Sequence, residues 1–222
     1  MTQQIRRAFY LLFNCFLCLT MLKFSYGIYA INRGVIKMNH VLNTIADRFS
    51  CRGYEDRTVE KEKIIAIAKA ALQSPSALNR QPWHIVAISD KGLVDEINDH
   101  VMDMIKARDD QSAYNRIMER GGKPYYNAPA MFLILKKEDA ADWADLDCGI
   151  VSQNISLAAT SLGLGNVIAA MCGTAFDGPR AEEFKAKVKW PAGYKFSLGV
   201  LVGYGNTTKE PHEIDLSKVT YL

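Results

Sequence analysis

The side chains best suited to ligand recognition are concentrated in one short polar stretch, Ser74–Trp83. Its hydroxyl and amide groups belong to Ser74, Ser76, Asn79 and Gln81. Pro75 and Pro82 fix their own φ and push the residue before each into an extended conformation, so the stretch is expected to be stiff. A stiff loop of amides and hydroxyls suits the edge of a planar polar ligand. A capped turn between a helix and a strand would explain the same composition without a ligand.

A second group of side chains that could bind a ligand is the triplet Arg48-x-Ser50-x-Arg52. If the chain is extended there, alternate residues face the same side and the two guanidiniums flank the hydroxyl. Arginine offers planar bidentate donors, so this arrangement predicts a phosphate clamp. The alternative is a solvated, charged turn.

The elements around these two groups follow from hydrophobic periodicity. A short helix over 40–49 precedes the triplet, and an apolar helix with Ile64, Ile67 and Ala71 ends at the polar loop. A strand over Trp83–Ser89 follows, and its near-continuous apolar character predicts burial on both faces. The other predicted elements are helices over 93–105, 139–162 and 180–188, strands over 130–135 and 196–202, and a strand or loop over 166–171. Together they indicate a single α+β domain from residue 39 to residue 222.

The polar stretch 106–127 lies between predicted elements and contains two glycines and two tyrosines. Long polar connections of this kind form lids or walls over substrates in many enzymes. A surface excursion without a role is the alternative.

The charge distribution argues against a nucleic-acid partner. The net charge of +3 over 222 residues is uneven, because residues 1–38 hold five Lys and Arg and no acid. The rest of the chain holds 22 bases against 24 acids and has no basic stripe.

The sequence predicts no metal site and no disulfide framework. Two of its five cysteines lie in the apolar leader, residues 1–38, and the other three are far apart. This cysteine usage favours a reducing compartment. Cys15-x-x-Cys18 has redox-motif spacing but lacks a second ligand pair, and the four histidines show no ligand spacing. Gly163-x-Gly165 is no dinucleotide fingerprint, because it follows a helix and Ile168 replaces the third glycine.

The leader, residues 1–38, supports three interpretations. Arg6-Arg7 before a short apolar run resembles a secretory signal. If the apolar residues on both sides of Lys23 are taken as one segment, that segment is a poor membrane anchor. Alternatively, translation begins at Met38, which suits the free cysteines. The third interpretation predicts a cytoplasmic protein, and the first two an exported or membrane-anchored one.

Four landmarks follow one another along the chain. The most specific is Pro75-Ser76-Ala77-x-Asn79-x-Gln81-Pro82-Trp83. The others are the arginine triplet, Asn127-Ala128-Pro129 before a strand, and Asp147 through Gly163-Leu164-Gly165 before Asn166-Val167-Ile168. Their order and spacing cover residues 39–205, and together they resemble the nitroreductase family of FMN-dependent oxidoreductases.

The resemblance implies a mixed, mainly antiparallel sheet flanked by helices and an intertwined homodimer with FMN at the interface. It implies phosphate and ribityl contacts from Arg48, Ser50 and Arg52. The loop contacts, Pro75, Ser76 and Ala77, would reach the partner's flavin, and Asn79 and Gln81 would bond flavin or protein groups. The remaining implied contacts are Ile168, Ala169 and Ala170 along the isoalloxazine, and Lys209 and His212 on the phosphate.

The same resemblance implies ping-pong turnover. NADH or NADPH reduces FMN at N5 and leaves, and a nitroaromatic, quinone or similar electron-poor acceptor then takes its place. No residue of the chain is assigned a catalytic role. Two alternatives stay open: reductive dehalogenation or flavin-consuming chemistry on the same fold, and a flavin-free, membrane-anchored binding module.

Overall fold

The computed structural model describes the backbone of residues 30–31 and 34–35 and, in full, residues 38–211 and 213–222. The chain divides into two compact units, Met1–Ala46 and Asp47–Leu222. Most of the leader, Cys15-x-x-Cys18 and the predicted phosphate contact His212 lie outside the described residues. The predicted boundary between residues 38 and 39 therefore stays a prediction.

In the first unit, strands β1 (Ala30–Ile31) and β2 (Gly34–Val35) pair antiparallel. Helix α1 (His40–Asp47) follows, and the amide of Leu42 donates to Asn39 Oδ1 (3.0 Å), which satisfies one of the free amides of its first turn. No helix in the described part of the chain is both long and apolar enough to cross a bilayer.

The second unit is built on a four-stranded sheet whose strands are all antiparallel, in the order β3-β4-β6-β5. The strands are β3 (Trp83–Ile88), β4 (Ala130–Lys137), β5 (Gly165–Ile168) and β6 (Tyr194–Gly203). A parallel bridge between Ser50 and Asn166 adds the segment before Cys51 to the outer side of β5. This confirms the predicted α+β class with a mixed, mainly antiparallel sheet.

Helices cover both faces of this sheet. They are α2 (Lys61–Leu72), α3 (Lys91–Lys106), α4 (Ser112–Met118), α5 (Ala144–Ser161) and α6 (Ala181–Lys187), with 3-10 turns at Ala77–Asn79, Ala170–Phe176 and Leu216–Lys218. Asp90 caps α3 by accepting from the amides of Gly92 and Leu93. Helix α5 ends where Gly163 adopts a φ of +75°, a conformation that glycine reaches without steric cost.

The two faces of β4 belong to two separate cores. Met131, Leu133 and Leu135 join the core that α3 covers, whereas Ala130, Phe132 and Ile134 join the core that α2 and α5 cover. All six side chains are fully buried, as the two-residue period requires of a central strand with helices on both sides.

The prediction that the strand over Trp83–Ser89 is buried on both faces is wrong for β3. Among the described strands it pairs with β4 alone and forms an edge of the sheet, with His84 and Ala87 exposed. They help to line a groove of about 320 Å³ beside α2. An apolar run does not distinguish a central strand from an edge strand, because the difference depends on neighbours that are distant in sequence.

The polar stretch 106–127 is more firmly attached to the body than a free surface excursion would be. It contains α4, and Tyr125 is one of the largest fully buried side chains. The amide of Tyr125 donates to Asn98 Oδ1 (2.9 Å), and its hydroxyl donates to the Cys172 carbonyl (3.5 Å). A lid function for this stretch stays a prediction.

Candidate functional site

The arginine triplet lies on the outer side of an extended segment. The apolar residues face the core, because Phe49 is half-buried and packs against it and Cys51 is fully buried. Of the polar residues, Arg48 and Ser50 are half-buried and Arg52 is exposed. This alternation is what the two-residue period predicts. Among the described residues, no carboxylate forms an ion pair with either guanidinium, so both remain available to an anion.

The triplet is fixed beside the free edge of β5. The amide of Cys51 donates to the carbonyl of Asn166 (2.9 Å), and the amide of Ala169 donates in the opposite direction, to Gly199 of β6 (2.8 Å). Outward and inward hydrogen bonds alternate along an antiparallel strand, so the N–H and C=O of Ile168 face away from β6. Beyond the Asn166 bridge, no described strand covers them.

Two segments of the chain, at Cys51 and at Gly165, lie very close together at the end of this edge, beside the triplet. A Cβ on Gly165 would lie 2.7 Å from the Cys51 sulfur, so only glycine allows the segments to meet there. The C-terminal tail begins at the same place, because Asn206 bonds the carbonyls of Gly53 and Tyr54. Lys209 is exposed and lies three residues further on, within about 10 Å of that anchor along the chain.

A cluster around Tyr204 anchors the chain that follows the triplet. The Tyr204 hydroxyl donates to Glu60 and accepts from Lys63, and the Arg57 guanidinium lies 3.6 Å from the Tyr204 ring centroid. The amide of Glu55 donates to the Tyr204 carbonyl (2.8 Å). Backbone hydrogen bonding and the Tyr204 hydroxyl lower the pKa of Glu60 to about 2, so this carboxylate stays charged at neutral pH.

The polar loop before β3 is stiff for a reason beyond its prolines. Leu78, Asn79 and Gln81 all have positive φ, at 54°, 52° and 45°. Gln81 therefore does not adopt the extended conformation expected for the residue before Pro82. Conformations with positive φ cost about 1–3 kcal/mol each in non-glycine residues and persist only where surrounding contacts enforce them. The backbone amide of Gln81 donates to Ser76 Oγ (2.9 Å), and the side-chain amide of Gln81 donates to Asn79 Oδ1 (2.9 Å). The side-chain amides of Asn79 and Gln81 are therefore hydrogen-bonded to each other, and both side chains are exposed.

Helix α5 holds the loop at two points. The amide of Ala77 donates to Asp147 Oδ1 (3.1 Å), and the Asn154 side chain donates to Ser74 Oγ (2.9 Å). Asp147 and Asn154 are seven residues apart and therefore lie on one face of the helix. The sequence marked Asp147 as the first residue of the fourth landmark but did not indicate its contact with the loop, and it gave no signal for Asn154.

The structure does not bring the loop and the triplet together within one chain. The loop leads into β3 and the triplet lies beside β5, and these strands are opposite edges of the sheet. Two strands separate them, a distance of roughly 14 Å at the usual strand spacing. Within the described residues, no hydrogen bond or ion pair joins the loop to the triplet.

The described cysteines are not placed for nucleophilic chemistry. Cys51, Cys148 and Cys172 are free and buried. Burial raises the pKa of Cys172 to about 12 and also raises the pKa of Cys148, so these two thiols stay protonated at neutral pH. In the described ranges, no three His, Cys, Asp or Glu side chains group as metal ligands.

Known proteins share this architecture. A putative NADH dehydrogenase/NAD(P)H nitroreductase from Archaeoglobus fulgidus is 30% identical over 186 residues, which cover 80% of this chain and 92% of that protein. A solved nitroreductase with bound FMN from Desulfitobacterium hafniense DCB-2 is 44% identical, with a TM-score of 0.79 over 83% of this chain and 99% of that chain. Another, from Bacteroides fragilis NCTC 9343, is 26% identical, with a TM-score of 0.73 over 83% of this chain and 100% of that chain.

The sequence match extends through both groups of candidate residues. The model of the Nitroreductase family matches residues 45–204, a range that includes the arginine triplet, the polar loop, the free edge of β5 and helix α5. This match confirms the resemblance inferred from the four sequence landmarks. The chain therefore belongs to the nitroreductase family.

Proposed function

We propose that this chain is an FMN-dependent oxidoreductase that takes hydride from NADH or NADPH and passes it to a small electron-poor acceptor. The observation that carries the proposal is the free edge of β5, which offers an outward-facing amide at Ile168. Beside it lie two arginines that form no ion pair with any described residue. The small side chains of Ala169 and Ala170 leave room for a flat ring along this edge. The FMN-bound relatives support this assignment of the cofactor.

In this proposal each part of the edge has a distinct task. Arg48 and Arg52 neutralise the phosphate, and Ser50 donates to a phosphate or ribityl oxygen. Lys209 supplies a further charge from the tail. The backbone at Ile168, Ala169 and Ala170 holds the ring, and the outward-facing amide of Ile168 gives a hydrogen bond to the edge of that ring. The bound flavin supplies the hydride chemistry, and the chain supplies position and electrostatics.

The working unit in this proposal is a homodimer that shares two flavin sites. The loop contacts, Pro75, Ser76 and Ala77, lie at the opposite edge of the sheet from the triplet, so a second copy has to supply them to each site. Two-fold symmetry makes such an exchange reciprocal, so a dimer contains two complete sites.

Two exposed apolar surfaces support this dimer. Leu146 and Ile150 lie one turn apart on the outer face of α5 and are 72% and 40% exposed. The tail beyond residue 205 exposes a further set of apolar side chains, Ile214, Leu216, Val219, Tyr221 and Leu222. Apolar side chains that are exposed in groups often mark a protein interface. A second copy of the chain would cover it.

The proposal is tested by purifying residues 39–222 and recording the visible spectrum. We expect a yellow dimer whose pigment is released on denaturation and has the mass of FMN. Stopped-flow mixing with NADH and then with NADPH should bleach the flavin, and nitro compounds or quinones should restore its colour. Recovery with halogenated rings alone would favour the dehalogenase alternative. A colourless protein that takes up no added FMN would contradict the proposal and favour the binding module.

A further inference from the structure

The contact between Asp147 and Ala77 joins helix α5 to the loop proposed to reach the flavin of the partner subunit. Asp147 is 5% exposed, and its Oδ1 accepts the hydrogen bond from the Ala77 amide at 3.1 Å. Ala77 is the first residue of the 3-10 turn and directly precedes Leu78, the first residue with positive φ. The bond therefore acts at the point where the strained part of the loop begins.

Stability alone explains this buried carboxylate poorly. Its second oxygen, Oδ2, is buried and accepts no hydrogen bond from any described residue. A buried acceptor without a donor destabilises the folded state, and a buried charge does so more strongly. The one amide bond at Oδ1 offsets only part of that cost, which points to a role for this residue in holding the loop.

The geometry points to Asp147 as a positioning residue that holds Pro75–Ala77 in the conformation that meets the partner subunit's flavin. This inference rests on the proposed function, because it assigns Asp147 a task in the same shared site. Asp147 does not itself touch the cofactor. It acts through the Ala77 amide, while Asn154 secures the start of the loop through Ser74.

Hydrogen bonding at Oδ1, rather than charge, is the property that this role requires. Asp147→Asn keeps a carbonyl oxygen for the Ala77 amide and removes the buried charge, whereas Asp147→Ala removes the acceptor. Ala77→Pro removes the donor and leaves the carboxylate. Proline is suited to this position because it is the first residue of a helical turn, and Ser76 before it is already extended at φ −143° and ψ 158°.

The test measures the FMN dissociation constant of the dimeric protein by fluorescence titration. We expect Asp147→Ala and Ala77→Pro each to weaken FMN binding at least tenfold. Asp147→Asn should restore binding to within about twofold of the unmodified chain. The double variant Asp147→Ala/Ala77→Pro should be no weaker than the weaker single variant, because both changes remove the same bond. Asp145→Asn is the matched control: this exposed carboxylate, two residues earlier, pairs with Lys136, and its loss should leave FMN binding unchanged.

Several results would overturn the inference. Asp147→Ala binding FMN as tightly as the unmodified chain is one, and Asp147→Asn binding as weakly as Asp147→Ala is another. Additive losses in the double variant would show that the two groups act separately. If Asp147→Ala does not fold, Ala77→Pro tests the same bond with the carboxylate in place. Failure of the unmodified chain to bind FMN would instead contradict the proposed function itself.

Discussion

Replacing both arginines of the triplet, Arg48→Ala/Arg52→Ala, is expected to weaken FMN binding at least a hundredfold. Both guanidiniums lie beside the free edge of β5 without a carboxylate partner among the described residues. A hydrogen bond to a charged group contributes about 1.5–3 kcal/mol, which is roughly tenfold or more for each arginine. The measurement is the FMN dissociation constant, together with the FMN that co-purifies.

The fold should not change in this variant, because neither arginine is buried. Arg57→Ala is the control: it lies in the same segment, but its guanidinium is already paired with Glu60 and lies over the Tyr204 ring. We expect Arg57→Ala to retain FMN. If the double variant binds FMN as tightly as the unmodified chain, the phosphate does not lie at the triplet. Equal losses in Arg57→Ala would indicate a general effect of positive charge.

The second large effect is expected from charges on the outer face of α5. Leu146→Glu/Ile150→Glu should convert the dimer to monomers and abolish FMN binding. A buried Leu or Ile side chain contributes about 1.5–3 kcal/mol, and a dimer buries two from each chain, so we expect association to weaken at least a thousandfold. Sizing chromatography with absorbance at the flavin wavelength measures both consequences in one run.

Met118→Glu gives a matched control for that variant. Met118 is 49% exposed on α4, and a glutamate there makes the same chemical change away from α5. It should leave a yellow dimer. A Leu146→Glu/Ile150→Glu protein that is monomeric but still holds FMN would show that one chain forms a complete site. A protein that stays dimeric would place the interface elsewhere.

Local patterns in the sequence were sufficient to predict the elements that carry the strongest periodicity. Strand β4 and helix α5 lie within one or two residues of the expected bounds at most ends, because their burial patterns depend on nearby residues. The start of α5 is the exception: Asp139–Trp143 forms turns, although its acidic residues suit a helix N-terminus. The alternation around the triplet was also predictable, since Phe49 and Cys51 are apolar and their neighbours are polar.

Features that depend on distant residues could not be predicted in this way. Nothing within β3 indicates that it is an edge strand, because that depends on which strands lie beside β4. The bond from Ala77 to Asp147 joins residues 70 positions apart, so neither local sequence indicates it. The positive φ of Leu78 and Gln81 contradicts their ordinary preferences, and the contacts with α5 and within the loop explain why the structure retains it.

The central claim is that each flavin site takes its triplet from one chain and its loop from another. The most direct measurement is the FMN content of mixed dimers between Arg48→Ala/Arg52→Ala chains and Ala77→Trp chains, in which the bulky indole blocks the loop contact. Each parent dimer should be colourless. In the mixed dimer, one site combines both defects and the other combines the intact triplet with the intact loop. Shared sites therefore predict about one FMN per mixed dimer. A colourless mixed dimer would contradict the claim, because it would mean that each chain builds its site alone.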